Sequence, residues 1–283
     1  MTLATISQEA TERARVHYNS QNAQNLYEVI IGSDTLNLGI YEDNPARSIA
    51  EGMHKTTEWM AENVQNLNAN FRVLDIGSGY GPAARYLAGK YGCHVTCINI
   101  SEEQNQKNEA LNREKNLAHL IEIAFGNFKE MPFDDASFDL AWSQDALFHT
   151  DDPGKVLEEA YRILKPGGQF LLMDILQADD CPDGALQEAL QRVNIHNPRL
   201  GSFQSYQNQA ETLGFECLNV VDKSEQLFIH YGKLEQAVIN HYDELSQKCN
   251  TDFLESTKIG LSHWVKSAEK GLFKWGLFHF RRP

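Results

Sequence analysis

From Phe71 to about Val221 the chain alternates short apolar runs with helically spaced segments, a rhythm that neither an all-helical nor an all-β fold accommodates. Phe71–Ile76 is an apolar run ending in a glycine cluster, Pro82–Tyr91 has helical spacing, and Cys93–Ile100 is β-rich. Ser101 stands as an N-cap with Glu102 and Glu103 in the first turn, where the helix dipole favours carboxylates. That helix is expected to reach about Asn116. Leu120–Phe125 and Phe138–Ser143 read as the third and fourth strands. Asp152-Pro153 opens a helix whose Val156, Leu157, Ala160, Tyr161 and Leu164 make one apolar face, and Lys165-Pro-Gly-Gly168 is expected to stop it. Gln169–Ile175 is a fifth strand, its unbroken apolar run suited to burial on both faces. Phe203–Leu213 is helical up to Gly214, and Phe215–Val221 is a sixth strand. The expectation is an α/β fold with a mostly parallel sheet and helices on both sides.

Two regions depart from the rhythm. Residues 1–66 read as helices around an irregular stretch, Gly32–Tyr41, and residues 224–269 as two or three helices before an aromatic-rich last strand from Gly271. The organisation expected is one domain over 1–283. It has an N-terminal helical cover (1–66), an α/β core (67–223), a helical cap inserted ahead of the last strand (224–270), and that strand (271–283). A cap there lies over the strand ends, where open α/β sheets bind ligands. The net charge of −14 repels phosphate backbones, so no nucleic-acid partner is expected. No apolar run approaches the ~18 residues of a membrane span, and the N-terminus lacks a basic, then apolar, leader. Five sparse cysteines, two of them in a strand pattern, fit reduced thiols in a cytoplasmic protein better than a disulfide or zinc framework, and a monomer or homodimer is expected. No H-x-x-x-H occurs, and the Cys93 and Cys97 pair falls in a strand pattern with no second pair to complete a zinc set, so no metal is expected.

Val73-Leu-Asp75-Ile-Gly77-Ser78-Gly79-Tyr-Gly81 joins the first strand to the first core helix. Glycines there let a ligand approach the backbone closely. A plain βα turn needs fewer of them. A dinucleotide loop reads G-x-G-x-x-G, but Pro82 holds the position of its third glycine, and Asp75 would repel a pyrophosphate. A carboxylate ahead of the glycines suits a cationic ligand.

D-x-G-x-G after a strand resembles motif I of class I S-adenosylmethionine-dependent methyltransferases, a Rossmann-like fold with a seven-stranded, mostly parallel sheet. Asn99 stands at the end of the second strand, where that class grips the ribose, commonly with an acid; the alternative is a plain strand-end residue. Gly126-Asn127-Phe128 with Met131-Pro-Phe133 matches the adenine loop, Asn127 replacing Asp and Phe128 flanking the ring. Trp142-Ser143-Gln144-Asp-Ala-Leu-Phe-His149-Thr150 is similar to W-S-Q-D-A-x-x-H-S of sarcosine/dimethylglycine N-methyltransferases, which also share Asn99-Ile-Ser101 and the tail from Gly260 to Phe278. The resemblance spans about His17 to Arg282. It implies S-adenosylmethionine contacts from Tyr27, Asp75, Gly77, Ser78, Gly79, Asn99, Ile100, Gln104, Asn127, Phe128, Ser143 and Gln144. Gly39-Ile-Tyr41 keeps the family's G-x-Y, which implies a substrate role for Tyr41. Asn25-Leu-Tyr27 through Gly32 aligns with an aromatic N-F-Y pattern, but Ile31 and Ser33 replace its Trp and second Gly. A ring at that Trp position would hold a methylated ammonium by cation–π attraction.

Methyl transfer from a sulfonium is an in-line displacement that needs a close, aligned and, for an amine, neutral nucleophile. His149 is the candidate base or orienting group, the alternative being a structural histidine. Related phosphoethanolamine enzymes pair this His with an N-terminal Tyr, for which Tyr18 is the nearest equivalent, against a helix-packing role. Arg199, or less directly Arg85, would fork a substrate carboxylate. The acceptor expected is a small amino-acid-like amine. The alternatives are a phosphobase, an oxygen or carbon centre of another small molecule, or a non-catalytic cofactor-binding subunit.

Overall fold

The computed structural model describes residues 20–32, 34–192 and 200–283. Helix α1 (Gln21–Ile30) is capped by Ser20, and α2 (Ile49–Glu62) opens on a capping box between Ser48 and Glu51. The alternation follows as β1 (Arg72–Ile76), α3 (Pro82–Tyr91), β2 (His94–Asn99), α4 (Glu102–Glu114), β3 (Ile121–Phe125) and β4 (Phe138–Gln144). A single 3-10 turn, Leu147–His149, leads to α5 (Pro153–Ile163), β5 (Leu164–Gln177), α6 (Gln187–Arg192), α7 (Phe203–Leu213) and β6 (Glu216–Asp222). Then α8 (Ser224–Asn240), α9 (Tyr242–Lys248) and α10 (Thr251–Glu269) precede β7 (Phe273–Arg281).

The strands form one seven-stranded sheet in the order β3-β2-β1-β4-β5-β7-β6. β1 to β5 pair in parallel, whereas β7 runs antiparallel between β5 and β6. Strand order reverses between β1 and β4, which is where an open α/β sheet forms its crevice. Successive core residues serve opposite faces. Val73, Cys97, Leu140, Leu171 and Leu277 pack on one side, and Leu74, Ile98, Ala141, Leu172 and Phe278 on the other. Burial on both faces explains the unbroken apolar runs in these strands. All five cysteines are free, and burial pushes the Cys97 thiol up to about 12.

Two expectations need correction. β5 begins at Leu164 rather than Gln169. Gly167 N–H donates to Arg282 O (2.7 Å) and Arg282 N–H to Gly168 O (2.9 Å), so the residue after β7 draws the Pro-Gly-Gly segment towards the sheet. α4 stops at Glu114, with Asn116 in the left-handed region at φ 57°. Helix α6 has no counterpart in the sequence reading.

Candidate active site

Beyond β1 the chain turns through Gly77 (φ 73°), Gly79 (φ 54°) and Gly81 (φ 75°) into α3. These backbone angles are why the loop takes glycine. A Cβ on Gly77 would sit 2.5 Å from the Ala146 Cβ, and one on Gly81 would run into the Asn108 side chain. Gly77 and Ser78 N–H donate to Ile98 O (2.9 and 3.3 Å), which fixes the loop to the end of β2.

Above the loop lies a cleft of about 880 Å³, its open mouth included. Gly77, Ser78, Gly79, Asn99, Ile100, Gln104, Asn127, Phe128, Gln144 and His149 all line it. Asn99 Nδ2 donates to Gln104 Oε1 (2.9 Å), which sets the amide and leaves Oδ1 for a ligand. Asn127 Oδ1 accepts from Lys129 N–H (2.9 Å), so one lone pair of the proposed adenine acceptor already holds its own turn. An amide oxygen keeps a second. Gln144 Oε1 accepts from Thr57 Oγ1 (3.1 Å), while its buried Nε2 has no partner among the described residues.

Other predicted contacts stand off the cleft. Asp75 is 3% exposed and lies beneath the loop. Burial pushes its carboxyl up to about 7 against the opposing pull of Arg85 and the Ala84 N–H, and Oδ2 lacks a partner among the described residues. Ser143 is fully buried, its Oγ donating to Ile76 O (3.1 Å), so it joins strand ends rather than lining the cleft. Tyr41 is also buried and does not line the cleft. Its ring fills the space beside Gly39 and Gly52, and its hydroxyl meets His230 Nδ1 at 2.8 Å. Arg85 is not free to fork a substrate. It donates to Asn108 Oδ1 (2.9 Å) and Asn112 Oδ1 (3.0 Å) and pairs with Asp34. Tyr18 and Arg199 lie outside the described residues.

A second cavity, about 1640 Å³ with its open mouth included, opens between α1, α8, α10 and the strand ends. Tyr27, Ile31, Leu38, Met53, Phe148, Ile175, His230, Tyr231, Phe253 and Trp264 are among its walls. Tyr27 therefore belongs here, with burial and the neighbouring Tyr80 phenol pushing its hydroxyl up to about 12. Leu36, Asp145 and His149 line both cavities and form the wall between them.

Sequence reasoning gave Asp145 no role of its own, although it sits inside the quoted motif. Its φ of 52° is left-handed, an uncommon state for a residue other than glycine. Its carboxylate accepts from Trp275 Nε1 (2.7 Å) and Leu38 N–H (2.8 Å), and burial pushes it up to about 7. Asp174 anchors the 3-10 turn of His149, accepting from Phe148 N–H (3.2 Å) and Tyr206 Oη (2.8 Å). His230 on α8 was also missed. Its partners come from the irregular stretch, so no local pattern marks it.

The cleft fits S-adenosylmethionine. Asn99 and Asn127 offer acceptors to ribose and adenine, and Gln144 Nε2 offers an unused donor. Open space at Gly79, with nothing within 4 Å of a built Cβ, admits a ligand against the backbone. A methyltransferase-domain family model matches residues 74–172. The sheet order, reversed last strand and glycine loop make this chain a class I S-adenosylmethionine-dependent methyltransferase. It is 40% identical to the sarcosine/dimethylglycine N-methyltransferase of Halorhodospira halochloris, covering 97% of each chain. The Aphanothece halophytica enzyme of the same name is 38% identical over 99% of this chain and 100% of that one. The chain belongs to the sarcosine/dimethylglycine N-methyltransferase family. Among solved structures, a Galdieria sulphuraria protein assigned as a sarcosine dimethylglycine methyltransferase superposes with a TM-score of 0.86 at 32% identity, covering 94% of this chain and 98% of that one.

Proposed function

We propose that the enzyme methylates the amine nitrogen of a small amino-acid-like acceptor of the sarcosine/dimethylglycine type. The observation that carries this is the shared wall: His149 and Asp145 face both the cofactor cleft and the second cavity. Bound S-adenosylmethionine supplies a methyl group on a sulfonium. The chain supplies position and proton control. His149 takes the amine proton or orients the nitrogen lone pair. Asp145 keeps an acidic oxygen at the same wall, where an incoming ammonium is attracted before it loses its proton. The apolar walls of Leu38, Met53 and Phe148 exclude water from the line of transfer.

Asn99 grips the ribose in this reading. Asn99→Leu is expected to weaken S-adenosylmethionine binding by roughly 1–3 kcal/mol, the cost of an unpaired buried polar group. Titration calorimetry measures it, and unchanged affinity would direct Asn99 elsewhere.

A second reading, a bulkier small-molecule acceptor, is favoured by one observation. Ile31 lines the second cavity, at the position where the resemblance expects Trp, which widens the acceptor space. Incubating the purified enzyme with S-adenosylmethionine and a panel of amines, amino acids, phosphobases and phenols, with products read by mass, separates the two. Methylated sarcosine or dimethylglycine supports the first, and turnover confined to other acceptors supports the second. A cytoplasmic location, supported by the five free thiols, completes the proposal, with the enzyme acting as a monomer or homodimer. Among the described residues no helix is long and apolar enough to cross a membrane, and no cluster of metal-ligating side chains occurs.

A further inference from the structure

His230 is 2% exposed, sits on α8, and lines the second cavity. Its Nδ1 is committed to two residues that do not line that cavity, Gly39 and Tyr41. Gly39 N–H donates to it at 3.2 Å, and Tyr41 Oη lies 2.8 Å away. A backbone N–H only donates, so Nδ1 is an acceptor and carries no proton. Burial and the nearby Lys233 ammonium push the imidazole down to about 3, which keeps the ring neutral across physiological pH. A neutral ring without a proton on Nδ1 carries it on Nε2. The ring is also held in place, stacked on Tyr41 with centroids 6.0 Å apart. His230 thus gives the cavity a fixed, uncharged hydrogen-bond donor whose tautomer is set by the irregular stretch before α2.

That stretch also ties the donor to the reacting wall. Leu38 N–H donates to Asp145 Oδ2, and the next residue's N–H donates to His230 Nδ1. Consecutive residues are close, so Asp145 and His230 lie within about 10 Å of each other. A small molecule with a cationic nitrogen at one end and an oxygen at the other spans that gap.

We propose that His230 is a specificity-determining residue: its Nε2–H donates to an oxygen of the acceptor, and the cavity selects acceptors carrying a carboxylate, carbonyl or hydroxyl oxygen near the amine. This rests on the proposed amine-methylating function and adds how the acceptor's other end is read. A neutral donor suits any of these oxygens without a counter-ion. A site built to hydrogen-bond an oxygen rejects the analogue that lacks it.

His230→Asn tests this, because its Oδ1 reaches the place of Nδ1, still accepts from Gly39 N–H, and ends short of Nε2. The measurement is calorimetric Kd in the presence of S-adenosylhomocysteine, for dimethylglycine and for N,N-dimethylethylamine, which lacks the carboxylate. H230N should weaken dimethylglycine 10- to 100-fold and leave N,N-dimethylethylamine and S-adenosylhomocysteine unchanged. His230→Gln, whose amide nitrogen reaches towards the place of Nε2, should recover much of the loss and serves as the second variant if H230N fails to fold. Equal weakening of both amines would make His230 structural, and no weakening of either would remove it from the acceptor site; each outcome overturns the proposal. Should wild type bind no amino acid, the functional reading falls, and the same variants are measured on whichever panel acceptor it methylates. Weakening confined to an oxygen-bearing acceptor then upholds His230 as the donor. Preferred methylation of oxygen-free amines overturns it.

Discussion

His149→Ala is expected to lower kcat by roughly 10²–10⁴, the usual contribution of a positioned general base, while S-adenosylmethionine affinity changes little. The turn carrying it is held through its backbone. Phe148 N–H is held by Asp174 Oδ1, and Thr150 N–H donates to Leu147 O at 2.9 Å. Alanine therefore removes the ring and leaves the scaffold. The loss should shrink as pH rises, because more of the amine then arrives already neutral. Steady-state kinetics between pH 7 and 10 read both effects. A near-normal kcat at pH 7 would take His149 out of the chemistry, and a loss constant across the range would assign it to positioning alone.

Gly77→Val should abolish measurable S-adenosylmethionine binding, a loss of more than about 100-fold, or about 2.7 kcal/mol. A β-branched residue at φ 73° is strained by roughly 1–3 kcal/mol, and its Cβ would press on Ala146 at 2.5 Å. The loop must move, and it carries the backbone of the cleft. Gly79→Ala provides the contrast. Among the described residues, its chain neighbours aside, nothing lies within 4 Å of the added methyl, so the melting temperature should fall only slightly, by the left-handed backbone cost of roughly 1–2 kcal/mol. Its effect on affinity comes from the ligand's own space and should be about tenfold or more. Calorimetry with a parallel melting curve separates the two variants. Unchanged affinity in both would sink the assignment of this loop.

Much of this was legible because it is local. The glycines, the Ser101 cap and the strand-end positions of Asn99 and Gln144 follow from short spacings, and each falls where the spacing placed it. Sequence did not tell which side chains touch a ligand and which stand behind it. Asp75 and Ser143 occupy motif positions yet stand off the cleft: Asp75 is buried at the end of β1, and the Ser143 hydroxyl is spent on Ile76 O. Tyr41 shows the same limit from the other side. Its own motif is intact, but the group at the cavity is its partner His230, 189 positions further along. Asp145 acquires its indole donor from Trp275 across a separation of 130 residues, and the extension of β5 depends on Arg282. No window of sequence contains both halves of such pairs.

The place of β7 has a consequence for how the enzyme comes into being. β5 and β6 do not pair with each other; each pairs with β7, the last strand of the described chain. During synthesis β5 emerges with an open edge, and β6 has no strand to join, until Phe273–Arg281 has left the ribosome and slid between them. Trp275 travels with that strand, so the Asp145 carboxylate at the dividing wall also waits for it. Pairings this distant in sequence form slowly, and bare strand edges invite association with other chains meanwhile. The newborn protein therefore passes through a stage that already has its glycine loop and parallel strands but has neither a finished wall between its cavities nor protection from its neighbours, and one nine-residue strand ends both conditions at once.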